Sequence, residues 1–406
     1  MELQHNIWKL FILQLTQRRY YLPILSLYFL TLPNANAVQI GFWSGMGYLA
    51  EFLFEIPSGY ISDKIGHKKM LVLAKLFMIL AVVSFLYGAS LLFFVLGAIF
   101  TSLSFAAQSG TRAAFLHETL VSLKKEDEFM SISTKITAYA SLVSAVLITL
   151  IPYTTKLSLE TPLLIGLGFD SIGFLIALSL VNPTLPEKSV KHISLLQVFK
   201  EVKGTLFLPL ATFTGAITGF SIAKTNFIFP YLETLGFPIV ALGVVLGLSA
   251  FLQFFMGKNL GRFEKSLPIK KILLFDTVFF PLSFFIIAFS NSFYVVAFVL
   301  ILVGAYEMGR RTFVDGYLLK HYIADKRYKA TILSIKGQIS MVFNFSLVFS
   351  IGFFMNTSYK LGFYIMGGVL FFILWCSAEV FNSLAGYYTP RTPYSKRTKK
   401  LEERQK

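Results

Sequence analysis

Along this chain apolar residues do not alternate with polar ones; they run. Twelve runs follow one another, at about 8–32, 38–60, 70–89, 91–117, 130–153, 161–182, 204–231, 237–257, 271–290, 292–317, 330–354 and 359–385. A helix needs about 20 mostly apolar residues to cross roughly 30 Å of hydrocarbon. In lipid the backbone must satisfy its own polar groups, which a helix does. The pattern therefore predicts an all-α membrane protein of twelve transmembrane helices, called spans 1 to 12 below. The first run shows no small-residue cleavage site and reads as a retained span rather than a signal peptide.

The longest polar gap runs from Asn182 to Lys203 and contains Pro183 and Pro186. It splits the runs six and six, which predicts an N-terminal six-helix bundle over 1–182 and a central loop over 183–203. A C-terminal bundle over 204–388 and a basic tail over 389–406 complete the organisation. The halves echo each other faintly. Gly110-Thr111-Arg112 and Gly309-Arg310-Arg311 lie 199 positions apart, and Gly59 and Gly257 lie 198 apart. Together with the six-and-six count, these offsets suggest a duplicated transporter bundle in which the halves are pseudo-symmetric.

Basic residues fix an orientation. The even-numbered loops and the tail carry 25 Lys and Arg, while the odd-numbered loops carry only Lys156 and Lys360. Basic residues are retained on the cytoplasmic side. Both termini are therefore expected in the cytoplasm, with the chain in an inner or plasma membrane.

Composition narrows the class. Of 406 residues 55% are hydrophobic, 44 are Phe and only 14% are charged, against about 25% in soluble domains. That excludes disorder, collagen and an ordinary soluble enzyme. The net charge of +16 invites a nucleic-acid reading, but the charge sits in short gaps between apolar runs and in the tail. That is the pattern of loops at an anionic membrane face, so no nucleic acid is expected. A single cysteine, Cys376, excludes a disulfide framework. His5, His67, His117, His192 and His321 show no metal-ligand spacing, and no phosphate-binding loop is present. His321 and Asp325 are separated by three residues, one short of an acyltransferase pattern. No metal, cofactor or enzymatic activity is expected, and the chain is expected to act as a monomer.

Span 2 ends in Glu55-Ile56-Pro57-Ser58-Gly59-Tyr60-Ile61-Ser62-Asp63-Lys64-Ile65-Gly66-His67-Lys68-Lys69. Gly59 suits a close helix approach, Gly66 a tight turn, and Asp63 is an anion among cations. This stretch resembles the signature loop of the major facilitator superfamily, with Gly59, Asp63, Lys64, Gly66, Lys68 and Lys69 matching. The segment Arg327–Ser334 also resembles that superfamily's approach to the eleventh helix. The resemblance implies a gate, in which Asp63 contacts the start of span 11 and holds an outward-facing state. It also implies that spans 1, 4, 7 and 10 line a central cavity.

There are departures. Residues 130–153 hold no Gly and only Pro152, where many drug–proton exporters of the superfamily carry a Gly-Pro pair. Phe105–Ser109, just before Gly110, holds no Arg, where many such exporters carry one; Arg112 follows instead. In the second-half loop Gly257-Lys258-Asn259-Leu260-Gly261-Arg262, Gly261 stands where the acid would fall.

A cation at mid-membrane costs about 2.5–3.5 kcal/mol on insertion scales, so it usually faces a wet cavity or a partner. The four implied cavity spans carry Arg18, Arg19, Arg112, Lys224, Arg310 and Arg311, against Glu307 and Asp315. That excess predicts a cationic cavity and an anionic substrate, since the Arg fork holds carboxylates bidentately. Blander readings stand beside it. Arg18 and Arg19 can anchor a shorter span 1, and Arg112 can bridge to Glu55 at the gate. Glu307 can pair locally with Arg310 and Arg311, and Lys135 and Lys336 can snorkel. Glu307 is the first candidate for carrying a coupling proton, followed by Glu51, Asp170 and Asp276. The expected function is secondary active transport of a small organic anion, a carboxylate metabolite or carboxylate metal chelator, with protons as coupling ion. Proton-coupled multidrug efflux is the alternative.

Overall fold

The computed structural model describes residues 2–183, 206–253, 268–321 and 329–387. The expected central loop beyond Pro183, the loop around Gly257–Arg262, residues 327–328 and the tail 389–406 lie outside the described residues. Everything described is helix, turn or coil, with no strand among the described residues.

The long helices follow the predicted runs. Span 2 is Ala37–Ile65, span 3 His67–Tyr87, span 5 Phe129–Leu150, span 6 Thr161–Leu178 and span 7 Phe207–Thr234. Span 8 is seen as Ile239–Gln253. Spans 9 to 12 are Ile269–Phe289, Phe293–His321, Lys329–Thr357 and Tyr359–Tyr387. Eight of the helical segments are long and apolar enough to cross a membrane by length and composition alone. Local chemistry sets the ends. Asn36 caps span 2 reciprocally with Gln39, the motif described for helix starts. Span 2 stops at Gly66, whose φ of +93° makes the turn into span 3.

Spans 1 and 4 depart from the expected continuous helices. Span 1 is split into Asn6–Leu15 and Leu22–Leu30, and span 4 into Leu91–Gln108 and Thr111–Ser122. Their counterparts in the second half, spans 7 and 10, run unbroken. The span 1 break stays satisfied locally. The Thr16 hydroxyl donates to Leu13 O at 3.3 Å and the Tyr20 phenol to Leu15 O at 3.2 Å. Irregular backbone at membrane depth survives only where protein or a wet cavity surrounds it, so the two breaks mark where a cavity belongs.

The halves meet most extensively through span 2 on span 11, with span 1 on span 7 and the end of span 5 on the start of span 8 beside them. Glycines allow the approach. A Cβ on Gly41 would lie 2.7 Å from Val348 O, and one on Gly352 would lie 3.0 Å from Ala37 O. Phe42 and Phe349 close edge-to-face beside them at 5.9 Å, and the Ser44 hydroxyl donates to Asn226 across the halves at 3.0 Å. All of this lies toward the odd-numbered loops, where the protein is shut. Toward the even-numbered loops the halves part around a vestibule of about 350 Å³.

Within the first half, the beginning is clasped to the end. The Asn6 carboxamide donates to Val181 O at 2.8 Å and accepts from Val181 N at 3.1 Å. Lys9 reaches the Ser179 carbonyl at 2.5 Å.

Candidate functional site

The two breaks face each other. Arg112, just past the span 4 break, donates to Gln17 in the span 1 break at 2.7 Å. Ser109, in the span 4 break, donates to Glu55 of span 2 at 2.6 Å. The sequence left open an Arg112–Glu55 bridge; each partner is instead engaged across the opposite break. Gln17, Glu51, Glu55, Ser109, Arg112 and Met341 line the vestibule.

The span 4 break is a three-residue turn. Thr111 N donates to Ser109 O at 2.8 Å, with Gly110 between them at φ +72°, ψ −41°. Such a turn is strained for any residue with a side chain. A Cβ on Gly110 would meet nothing within 4 Å, so Gly110→Ala tests the backbone alone. It is expected to cost about 1–3 kcal/mol, read as a lower midpoint in SDS unfolding. An unchanged midpoint would mean that span 4 straightens without penalty.

Above the vestibule, and sharing Glu51 and Phe105 with it, lies an inner cavity of about 70 Å³. Its polar lining includes Arg19, Tyr21, Ser44, Glu51, Thr101 and Asn226. Trp43, Phe85 and Phe105 supply its rings. The Arg19 guanidinium lies 3.6 Å over the Phe105 ring centroid, a cation–π contact of about 2 kcal/mol when desolvated. That stacking covers one face of the fork and leaves its edge. Arg19 Nε and Nη2 are buried without a hydrogen-bond partner among the described residues, and so are Tyr21 OH, Trp43 Nε1 and Thr101 Oγ1. An orphaned buried donor costs about 1–3 kcal/mol, more when charged. Four such residues around one cavity describe a site built to donate.

The remaining cations divide. Arg18 is exposed and Arg311 is exposed. Arg310 is not paired with Glu307, as its spacing allowed. It donates from Nε to Asp276 at 2.5 Å, while the Tyr306 hydroxyl holds the other carboxylate oxygen at 2.6 Å. Arg310 Nη2 is buried without a hydrogen-bond partner among the described residues. Lys224 is 8% exposed and has no hydrogen bond or ion pair among the described residues, with Glu307 the opposite charge that acts on it. Glu307 accepts from Ser221 at 2.8 Å. Lys336 does not snorkel; it is buried and paired with Asp315. Lys135 is exposed.

Of the four carboxylates considered for proton carriage, Asp276 is held by Arg310 and Tyr306. Asp170 is held by Lys75 at 3.1 Å, with that lysine 1% exposed. Lys75 carried no functional expectation, although it is a cation at the middle of span 3. Glu51 has no hydrogen-bond partner among the described residues and borders both cavities.

At the loop with the signature motif, Asp63, Lys64 and Lys69 are exposed and Lys68 is half-buried. Asp63 has no partner among the described residues. Among the described residues, a Cβ on Gly59 would meet nothing within 4 Å. What the loop does hold is His67. Its Nδ1 meets Ser62 Oγ at 2.8 Å, its Nε2 lies 3.3 Å from Glu118, and Ser62 also meets Thr111 at 3.0 Å. No cluster of three or more metal-ligating side chains occurs among the described residues.

Sequence reasoning found Arg19 from its charge. It missed Tyr21, Trp43, Thr101 and Asn226, because a hydroxyl or indole in an apolar run looks the same whether it faces lipid, core or cavity.

A family model described as Major Facilitator Superfamily matches residues 7–310. No curated protein sequence matches the chain. Among solved structures, the nucleoside transporter NupG aligns with a TM-score of 0.74 at 14% identity, covering 95% of this chain and 99% of that one. A bacterial homologue of the human lysosomal transporter Spinster, inward-facing and unoccupied, aligns at 0.68 and 13%, covering 96% and 99%. The peptide transporter POT in complex with sulfate aligns at 0.68 and 12%, covering 93% and 95%. At these identities the likeness is one of fold.

Proposed function

The chain belongs to the Major Facilitator Superfamily, an integral membrane transporter rather than an enzyme, and from that premise we propose that it moves a small organic anion by alternating access. One observation carries the reading: Arg19 presents buried, unpartnered guanidinium donors in the inner cavity, at the break of span 1. Discontinuous helices at a transporter's midplane are a recurrent way of building substrate sites. An anion seated there would satisfy donors that no described residue satisfies. Lys224 borders neither cavity and stays with Glu307. Arg112 and the exposed Arg18 and Arg311 attract the anion into the vestibule, and Arg310 serves chiefly to hold Asp276.

The even-loop face, rich in Lys and Arg, is the cytoplasmic face, so the vestibule opens inward and the Gly41–Gly352 seal closes the outside. Asp63 engages the start of span 11 only when the protein turns outward. Glu51 carries the proton. It borders both cavities, lies within electrostatic reach of Arg19 and is committed to no other group. An anion beside Arg19 favours Glu51 in its neutral form, which couples the two ligands.

Proton-coupled drug efflux would use Glu51 and the aromatic rings but leave the Arg19 donors empty. Proteoliposomes separate the two readings. The panel holds simple carboxylates, citrate, a sugar phosphate and a lipophilic cation, each with and without a pH gradient. Saturable anion transport is expected, and Arg19→Ala should weaken it roughly thirtyfold or more. Glu51→Gln should leave anion exchange but remove the effect of the gradient. Transport of the lipophilic cation alone would overturn the proposal.

A further inference from the structure

We infer that the inner cavity selects a singly charged acid with a flat ring body, an aromatic or heteroaromatic monocarboxylate, and that Trp43 and Thr101 set this choice. The inference rests on the anion reading and goes beyond it in charge, shape and named selectivity residues.

Charge comes first. Among the residues lining the inner cavity, Arg19 is the only cation and Glu51 the only anion. The neighbouring cations are committed: Arg112 to Gln17, Arg310 to Asp276 and Lys75 to Asp170. One carboxylate therefore finds one guanidinium. A second or third would be buried against apolar wall without a counter-charge, which costs several kcal/mol. Polycarboxylates and carboxylate chelators, allowed by the raw cation count, fit this cavity badly.

Shape comes second. Phe105 covers one face of Arg19, and Phe85 and Trp43 supply two more ring walls. Trp43 is itself fixed by Phe29, Phe85 and Phe94, with centroids at 6.1, 6.2 and 5.7 Å. Held walls of that kind favour a rigid flat body, because offset or edge-on ring contacts form without ordering a flexible ligand. A cavity of about 70 Å³ has room for only five or so waters, at roughly 10–15 Å³ each. A one-ring acid approaches that size; a branched polyacid exceeds it.

Hydrogen bonding comes third. Arg19 and Trp43 can only donate, while Tyr21 and Thr101 can donate or accept. All four have buried polar atoms without partners. A carboxylate occupies part of this set. The remainder suits an acceptor on the ring, such as a heteroaromatic nitrogen or a ring oxygen.

Trp43 allows a direct test. The chain has three Trp, so Trp8→Phe with Trp375→Phe leaves Trp43 as the only indole. Its fluorescence is titrated in detergent with benzoate, nicotinate, cyclohexanecarboxylate, benzamide, citrate, uridine and a lipophilic cation. Benzoate and nicotinate should shift the emission saturably. Cyclohexanecarboxylate should bind several-fold more weakly, benzamide at least tenfold more weakly, and citrate not at all. Thr101→Val should cost the best acid about tenfold, one hydrogen bond's worth. Trp43→Phe, followed by thermal shift, keeps the ring packing and should cost a similar factor. Arg19→Ala should abolish the response. Citrate binding more tightly than benzoate would overturn this inference while leaving anion transport standing. A response to uridine or the lipophilic cation with none to any acid would overturn both. Acids that bind equally well to Thr101→Val and Trp43→Phe would remove those residues from selectivity.

Discussion

Lys75→Met should cost the first half about 3–5 kcal/mol, because it leaves Asp170 buried and uncompensated. The pair sits at the centre of the bundle, with side chains 1% and 5% exposed and 3.1 Å between charged atoms. The geometry is purposeful. A Cβ on Gly173 would lie 2.8 Å from Lys75 Cε, so the lysine reaches Asp170 only by lying across that bare backbone. The expected result is a lower SDS-unfolding midpoint for Lys75→Met and for Asp170→Leu taken singly. The double variant Lys75→Met, Asp170→Leu should recover most of the loss, since an apolar pair of similar volume often matches a buried ion pair. Singles as stable as the parent would show that the pair contributes nothing. A double variant as damaged as the singles would show that packing, not charge, was lost.

The second large effect is conformational. Gly41→Leu should prevent the odd-loop seal from closing, because the first side-chain carbon would already stand 2.7 Å from the Val348 carbonyl. Overpacking of this kind costs about 1–3 kcal/mol, which shifts a two-state population by roughly five- to 150-fold. The readout is a cysteine placed at Ser44, just beneath the seal, in a background where Cys376 is replaced by serine. A membrane-impermeant thiol reagent added from the odd-loop side should label it faster with leucine at 41 than with glycine. Transport should fall together with that change. Equal labelling rates would mean that the contact between spans 2 and 11 does not control access.

Much of the fold was legible because lipid imposes a simple grammar. Run length gives the helices, and those described follow the predicted runs from Ala37–Ile65 to Tyr359–Tyr387. The site was legible only in part. Arg19 stood out because a cation at membrane depth needs a reason to be there. Its break did not stand out: Thr16 and Tyr20 repair the lost backbone bonds with side chains that look ordinary in the sequence. The pairings were illegible for a different reason. Glu307, Arg310 and Arg311 have ideal helical spacing, yet Arg310 takes Asp276 from another span and Glu307 takes Ser221. Three-dimensional proximity, with full burial for the Asp276 pair, outweighed a neighbour along the chain. Lys75 was passed over on the same grounds, since its partner lies 95 residues away.

The clasp of Asn6 on Val181 bears on how the protein is made. Each piece of span 1, ten and nine residues long, is too short to cross a bilayer alone. The first piece is tied to backbone just past the end of span 6. During synthesis, that backbone emerges from the ribosome some 175 residues after Asn6. Span 1 therefore takes its final seat late, when span 6 arrives to receive it. Arg19, in the break between the two pieces, is placed with them.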